Sequence, residues 1–158
     1  MRTYNIGEYS VLKIEDVAVN KLLEFNEKSD IDETGGIILG KFNQDCSEYL
    51  ITDICEVKSS LRKTPVSFIR DREIAQGIIN DMWKKSDGSI NYLGEWHTHV
   101  MIRAKPSRTD KSTIIKIAKE SIGIKKYVFL IIIGENKEIF ICSVEFNGEF
   151  KVIYNGRV

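Results

Sequence analysis

The sequence predicts an α/β protein, with about three helices packed on a mixed β-sheet. Three observations carry this. Helix-like and strand-like stretches interleave in the order helix, two strands, helix, strand, helix, three strands. The stretch Tyr127–Ile133 is β-rich and almost continuously apolar, as a strand covered on both faces should be. Asn147-Gly148 is a strong two-residue hairpin signal between strands.

The elements follow in order. Ile14, Val17, Ala18, Leu22 and Phe25 form a helical stripe. Glu33-Thr34-Gly35-Gly36 turns into a strand at Ile37-Ile38-Leu39, and a second strand is expected near Tyr49–Val57. Ser59–Ser67 is polar, contains Pro65 and is expected to be a loop. Ile74, Ile78 and Met82 recur every four residues, flanked by Ala75, Ile79 and Trp83, and Ser86-Asp87-Gly88-Ser89 ends that helix. Ile90–His99 is the next strand. Ser107 opens a third helix with Ile114, Ile115 and Ala118 on its apolar side and Gly123 just past its end. Gly134-Glu135-Asn136 turns Tyr127–Ile133 into Glu138–Phe146, and Asn147-Gly148 leads into Phe150–Tyr154.

The 158 residues fit one domain spanning the whole chain, 1–158. Apolar residues are 42% and charged residues 29%, ordinary for a soluble globular protein. Lys+Arg and Asp+Glu both number 23, so there is no bulk positive charge for binding nucleic acid, and none is expected as a partner. The start, Met1-Arg2-Thr3-Tyr4-Asn5, has no apolar secretory core, and the longest apolar run, Tyr127–Gly134, is far short of the ~20 residues of a membrane helix. A cytoplasmic protein without membrane association is expected. Cys46, Cys55 and Cys142 are odd in number and form no C-x-x-C pair, so buried, unreactive thiols are expected.

The only two histidines are His97 and His99. Strand alternation points both to one face, where their imidazoles can converge on one ion. Asp110, in the first turn of the next helix, can supply a carboxylate. Two histidines and a carboxylate make a catalytic zinc set that leaves a fourth position for water. The alternative is plain: Ser107-x-x-Asp110 is also a capping-box pattern, with Asp110 in place of the usual Glu or Gln.

The full string His97-Thr98-His99, seven residues, then Ser107-Arg108-Thr109-Asp110 resembles the JAMM signature of the MPN/JAB zinc metallopeptidases. The family's upstream glutamate is matched by Glu33, ahead of Thr34-Gly35-Gly36-Ile37-Ile38-Leu39-Gly40. The resemblance implies that His97, His99 and Asp110 bind one zinc ion. It implies that Glu33 holds the zinc-bound water, takes its proton as general base and passes it to the leaving amine. It implies that Ser107 donates to the oxyanion. The implied fold is the cytidine-deaminase-like α/β sandwich of the JAB/MPN domain, and the implied reaction is amide hydrolysis. Glu95 shares the face of the histidines and is a rival for the base, whereas Trp96 points the other way and is expected in the core. Val100 stands where the family usually has proline after the second histidine; Pro106 before Ser107 matches the usual form.

The segments Gly94–His99 and Ser67–Glu73 look like compact bacterial members, among them the JAB peptidases of cyclic-oligonucleotide (CBASS) anti-phage operons. That resemblance implies an isopeptidase acting on a ubiquitin-like carboxyl-terminal tail or a conjugated CD-NTase, beside ubiquitin-activating and ubiquitin-conjugating-like operon partners. Linear trimming of a ubiquitin-like or sulfur-carrier precursor is the second reading, and a non-catalytic MPN binding module the third. The deaminase signature H-x-E with P-C-x-x-C does not occur.

Overall fold

The computed structural model describes residues 1–28, 32–58, 71–121, 123 and 125–158. The loop expected at Ser59–Ser67 and the stretch Ser67–Arg70 lie outside them. In chain order the elements are β1 (Arg2–Asn5), β2 (Val11–Ile14), α1 (Asp16–Lys28), β3 (Gly35–Phe42), β4 (Glu48–Glu56), α2 (Arg72–Lys85), β5 (Asn91–Thr98), α3 (Arg108–Glu120), β6 (Tyr127–Ile133), a 3-10 turn (Glu135–Lys137), β7 (Glu138–Glu145) and β8 (Phe150–Arg157). The strands form one sheet in the order β1-β2-β4-β3-β5-β6-β7-β8. It is mixed: β2–β4 and β5–β6 are parallel pairs and the others are antiparallel.

Helices cover both faces. On one, Ala18, Val19 and Leu22 of α1 pack with Leu12, Ile38, Ile51, Trp96, Phe129 and Ile131. On the other, Ile114 and Ala118 of α3 pack with Val128, Leu130, Ile132 and Phe140, while Ala75 of α2 packs with Ile37, Leu39 and Val57. Every residue of β6 is buried, as its unbroken apolar run predicts for a central strand under helices on both sides. Among the described residues no helix is long and apolar enough to cross a membrane.

Two expectations are corrected. The N-terminal segment holds two strands that periodicity did not single out, and Ile14 is the last residue of β2, buried in the sheet, not a member of a helical stripe. Val17 is exposed, so the buried side of α1 is Ala18, Val19 and Leu22, with Phe25 partly buried against it. In α2, Ala75 is the buried residue, Ile78, Ile79 and Met82 are partly covered, and Ile74 and Trp83 are exposed. The third helix falls where Ser107 predicts it, and the three cysteines are free, two of them buried and Cys55 half-buried.

The central strands approach closely because glycine lines their contacts. β3 begins at Gly35, two residues earlier than expected, and a Cβ on Gly36 would lie 2.0 Å from the Cys55 carbonyl oxygen. Gly94, at φ +155, marks a bulge where the β3–β5 register shifts, and a Cβ there would lie 1.9 Å from the Phe129 carbonyl oxygen. Gly94→Ala is therefore expected to push β5 from β6 and to cost roughly 2–4 kcal/mol in urea unfolding. An unchanged midpoint would show that β5 can slide to make room.

Candidate metal centre

The site is built at the C-terminal end of β5. Gly35 of β3 pairs with His97 of β5 in antiparallel register. The Thr98 N–H donates to the Thr34 carbonyl at 2.8 Å, and the Thr34 N–H donates to the Thr98 hydroxyl at 2.9 Å. Continued one step, this register sets Glu33 opposite His99. Thr34 and Thr98 are buried residues that sequence reasoning passed over; the signal was available, since the residue between two same-face histidines must point into the opposite layer.

The imidazoles converge as alternation predicts. His97 Nε2 and His99 Nε2 are 3.2 Å apart. Asp110 Oδ1 lies 3.3 Å from His97 Nε2, and Oδ2 lies 3.5 Å from His99 Nε2. Among the described residues, these are the three whose metal-ligating atoms cluster, all within 4.8 Å of one another. Both histidines are buried. His99 Nδ1 faces the Arg103 carbonyl oxygen at 3.1 Å and donates to it, so in the neutral ring the Nε2 lone pair is left facing His97 and the carboxylate. With both rings deprotonated at Nε2, three donor atoms turn on one point, and this donor set suits a metal ion.

The structure bears out the capping reading of Ser107 and Asp110. The Ser107 hydroxyl oxygen accepts the Asp110 N–H at 3.0 Å, and Asp110 Oδ2 accepts the Ser107 N–H at 2.7 Å, a complete capping box on α3. The cap is what aims the carboxylate at the histidines. Ser107 itself is exposed, and its hydroxyl, used as an acceptor, keeps its proton for donation elsewhere.

Glu33 is 3% exposed and stands outside the converging trio. Burial pushes its carboxyl up to about 7, against the pull of His99 and with the Asp110 charge adding to the rise. For Asp110 burial also acts upward, but hydrogen bonds with His97 and His99 outweigh it and hold the carboxyl well below the usual carboxylate range. Burial acts to lower His99, and Asp110, the Arg103 carbonyl and Glu33 outweigh it, so the net direction is up.

Glu95 lines the same cleft of about 360 Å³ as His97, Thr109, Asp110 and Ile114. Its carboxylate accepts the Tyr92 hydroxyl. Beside it, burial lowers the Lys125 ammonium to about 8, with Glu95 opposing. Glu95 is thus hydrogen-bonded to Tyr92, while the Glu33 carboxyl feels His99 and Asp110. Trp96 is in the core, its indole N–H donating to the Cys55 carbonyl at 3.1 Å.

Residues 16–144 match the family described as prokaryotic homologs of the JAB domain, and the chain belongs to that family. Similar curated proteins include a CD-NTase/cGAS isopeptidase of Enterobacter hormaechei, 24% identical over 73% of this chain and 62% of the relative. A probable metalloprotease, y4qB, of Sinorhizobium fredii is 33% identical over 55% of this chain and 53% of its own length. A CD-NTase/cGAS isopeptidase of Vibrio cholerae is 30% identical over 59% of each. The chain thus matches little more than half the length of these relatives. The solution structure of protein DSY2949 from Desulfitobacterium hafniense shares the fold, with a TM-score of 0.64, 15% identity and coverage of 92% of this chain and 90% of that one.

A pH test follows from Glu33. Its folded pKa, about 7, lies above the unfolded carboxylate value, so the fold holds the proton more tightly. That contribution is favourable below the unfolded value and is lost as pH rises through the folded one. In metal-free protein, Glu33→Gln is expected to be more stable than wild type by of order 2 kcal/mol in mildly alkaline buffer, the gap closing near the unfolded carboxylate pKa. Denaturant titrations at the two pH values check this; a constant gap would mean that Glu33 is not the titrating group.

Proposed function

We propose that this chain is a zinc-dependent isopeptidase, acting on the amide that joins the carboxyl terminus of a ubiquitin-like modifier or a CD-NTase to its target. The observation that carries the reading is the convergence of His97, His99 and Asp110 with a buried Glu33 set beside His99 by the strand register. The names of the relatives support the reaction and the substrate class. Zinc suits the donor set: a tetrahedron with bonds of ~2.0–2.1 Å has edges of about 3.3 Å. The two imidazole Nε2 atoms here are 3.2 Å apart, close to such an edge, and the two Asp110 oxygens lie 3.3 Å from His97 Nε2 (Oδ1) and 3.5 Å from His99 Nε2 (Oδ2).

His97, His99 and Asp110 would hold the ion. A zinc ion there would lower the pKa of a water to about 7 and polarise the substrate carbonyl. Glu33, with a carboxyl near neutrality, takes a proton from the attacking water and returns it to the leaving lysine amine. The Ser107 hydroxyl donates to the developing oxyanion. The whole operates as one domain in the cytoplasm, and enzymes that activate and conjugate the modifier are the expected functional partners.

The test uses cells carrying the chain's own gene neighbourhood, wild type against Glu33→Gln. Mass spectrometry should find lysines joined to a foreign carboxyl terminus that accumulate in the mutant alone. Accumulation of an unprocessed precursor instead would replace deconjugation with linear maturation, and no difference would sink both readings. With the trapped conjugate as substrate, Ser107→Ala should lower turnover about 100-fold while keeping most of the metal affinity, because the backbone N–H at 107 still donates to Asp110 Oδ2. It should also cost about 1 kcal/mol through the lost cap. Wild-type turnover would leave Ser107 as a cap alone.

A further inference from the structure

The loop between His99 and the Ser107 cap is held from outside the ligand set. The Arg103 carbonyl that takes the His99 Nδ1 proton also accepts the Lys105 N–H at 2.8 Å. One residue on, the Ala104 N–H donates to Glu138 Oε2 at 3.2 Å. Glu138 Oε1 accepts Arg103 Nη2 at 3.0 Å and Nε at 3.2 Å. The Ala104 methyl is buried in the α3 core. The Glu135 N–H donates to the Ile102 carbonyl at 2.8 Å, and the His99 N–H donates to the Ile133 carbonyl at 2.7 Å. Gly134 lies so close beneath that a Cβ there would meet Ala104 N at 2.2 Å and the Arg103 carbonyl carbon at 2.6 Å. The loop is therefore fastened along its length to the turn between β6 and β7, with Glu138 as its charged anchor.

We propose that Glu138 is a positioning residue for the metal centre: by gripping the Ala104 N–H and the Arg103 guanidinium it holds the Arg103 carbonyl against His99 Nδ1. That bond fixes the ring's orientation and its Nδ1–H tautomer, and turns Nε2 toward His97 and Asp110. Val100 leaves the chain free of a proline restraint where it departs from β5. The anchor at Glu138 restrains the same loop from its far end. The inference rests on the metal-centre reading of His97, His99 and Asp110.

The test measures Co²⁺ affinity from its visible absorption, and the His99 tautomer by ¹⁵N NMR of metal-free protein in alkaline buffer, where the ring is neutral. Glu138→Ala should weaken Co²⁺ binding roughly 10–100-fold and release His99 from the Nδ1–H form. Arg103→Ala, which keeps the carbonyl and loses an exposed ion pair, should weaken it less than about threefold. Glu138→Gln, with one acceptor oxygen left for Ala104, should fall between the two. Gly134→Ala should reproduce the Glu138→Ala pattern by lifting the same loop. Wild-type affinity with an intact Nδ1–H in Glu138→Ala would overturn the proposal, and so would a loss of affinity without a tautomer change. If Glu138→Ala does not fold, Glu138→Gln decides by the same two readouts. Failure of the wild type to bind Co²⁺ would sink the metal reading separately, and the tautomer measurement would still decide the role of Glu138.

Discussion

The antiparallel register of β3 against β5 is the constraint on which the site depends. Gly35 opposite His97, and Thr34 bonded to Thr98, bring Glu33 beside His99. Side chains alternate along a strand, so a slip of one residue would turn Glu33 into the opposite layer and leave Thr34 in its place. The glycines serve this register. Gly36 and Gly94 remove the side chains that would hold β3 from β4 and β5 from β6.

Electrostatically the site works against the fold. Two buried histidines, one buried carboxyl and one partly buried carboxylate share a small volume. Burial alone disfavours each charge, and the pattern of shifts records how the neighbours divide the cost. Asp110 keeps its charge because two imidazoles face it, whereas for Glu33 burial outweighs the pull of His99 and the carboxyl is pushed up to about 7. The three apolar clusters supply the stability that lets such a group persist, since none of them draws on the converging trio.

Helix α3 and the loop before it serve two purposes with the same atoms. The capping box satisfies backbone donors at the start of α3 and also fixes the carboxylate that faces His97 and His99. The loop carbonyl at Arg103 takes the second nitrogen of His99, and Glu138 and Gly134 hold that loop from the adjacent turn. Helix start, loop and strand end are therefore tied to one another, which is how separate chain segments hold donor atoms at 3.2–3.5 Å.

Much of this was legible in the residues themselves. Spacing alone located α2, α3 and the strands from β3 onward, put His97 and His99 on one face, sent Trp96 to the core and marked Ser107 as a cap. Resemblance to a known motif then singled out Glu33. Spacing failed at the N-terminus, where Ile14 fits a helical stripe and a short strand equally well, and only pairing with β1 and β4 settles which it is. It left Glu95 and Glu33 as rivals, because both can face the histidines in principle; in the fold Glu95 accepts the Tyr92 hydroxyl and lines the cleft with His97, while the register sets Glu33 opposite His99. It gave no sign of Glu138, whose hydrogen bond to Ala104 joins segments more than thirty residues apart in sequence. Periodicity and capping are properties of neighbouring residues, so the chain by itself determined them. Register, close approach at glycine and the burial of a carboxyl exist only between segments, and the tertiary structure alone decided those.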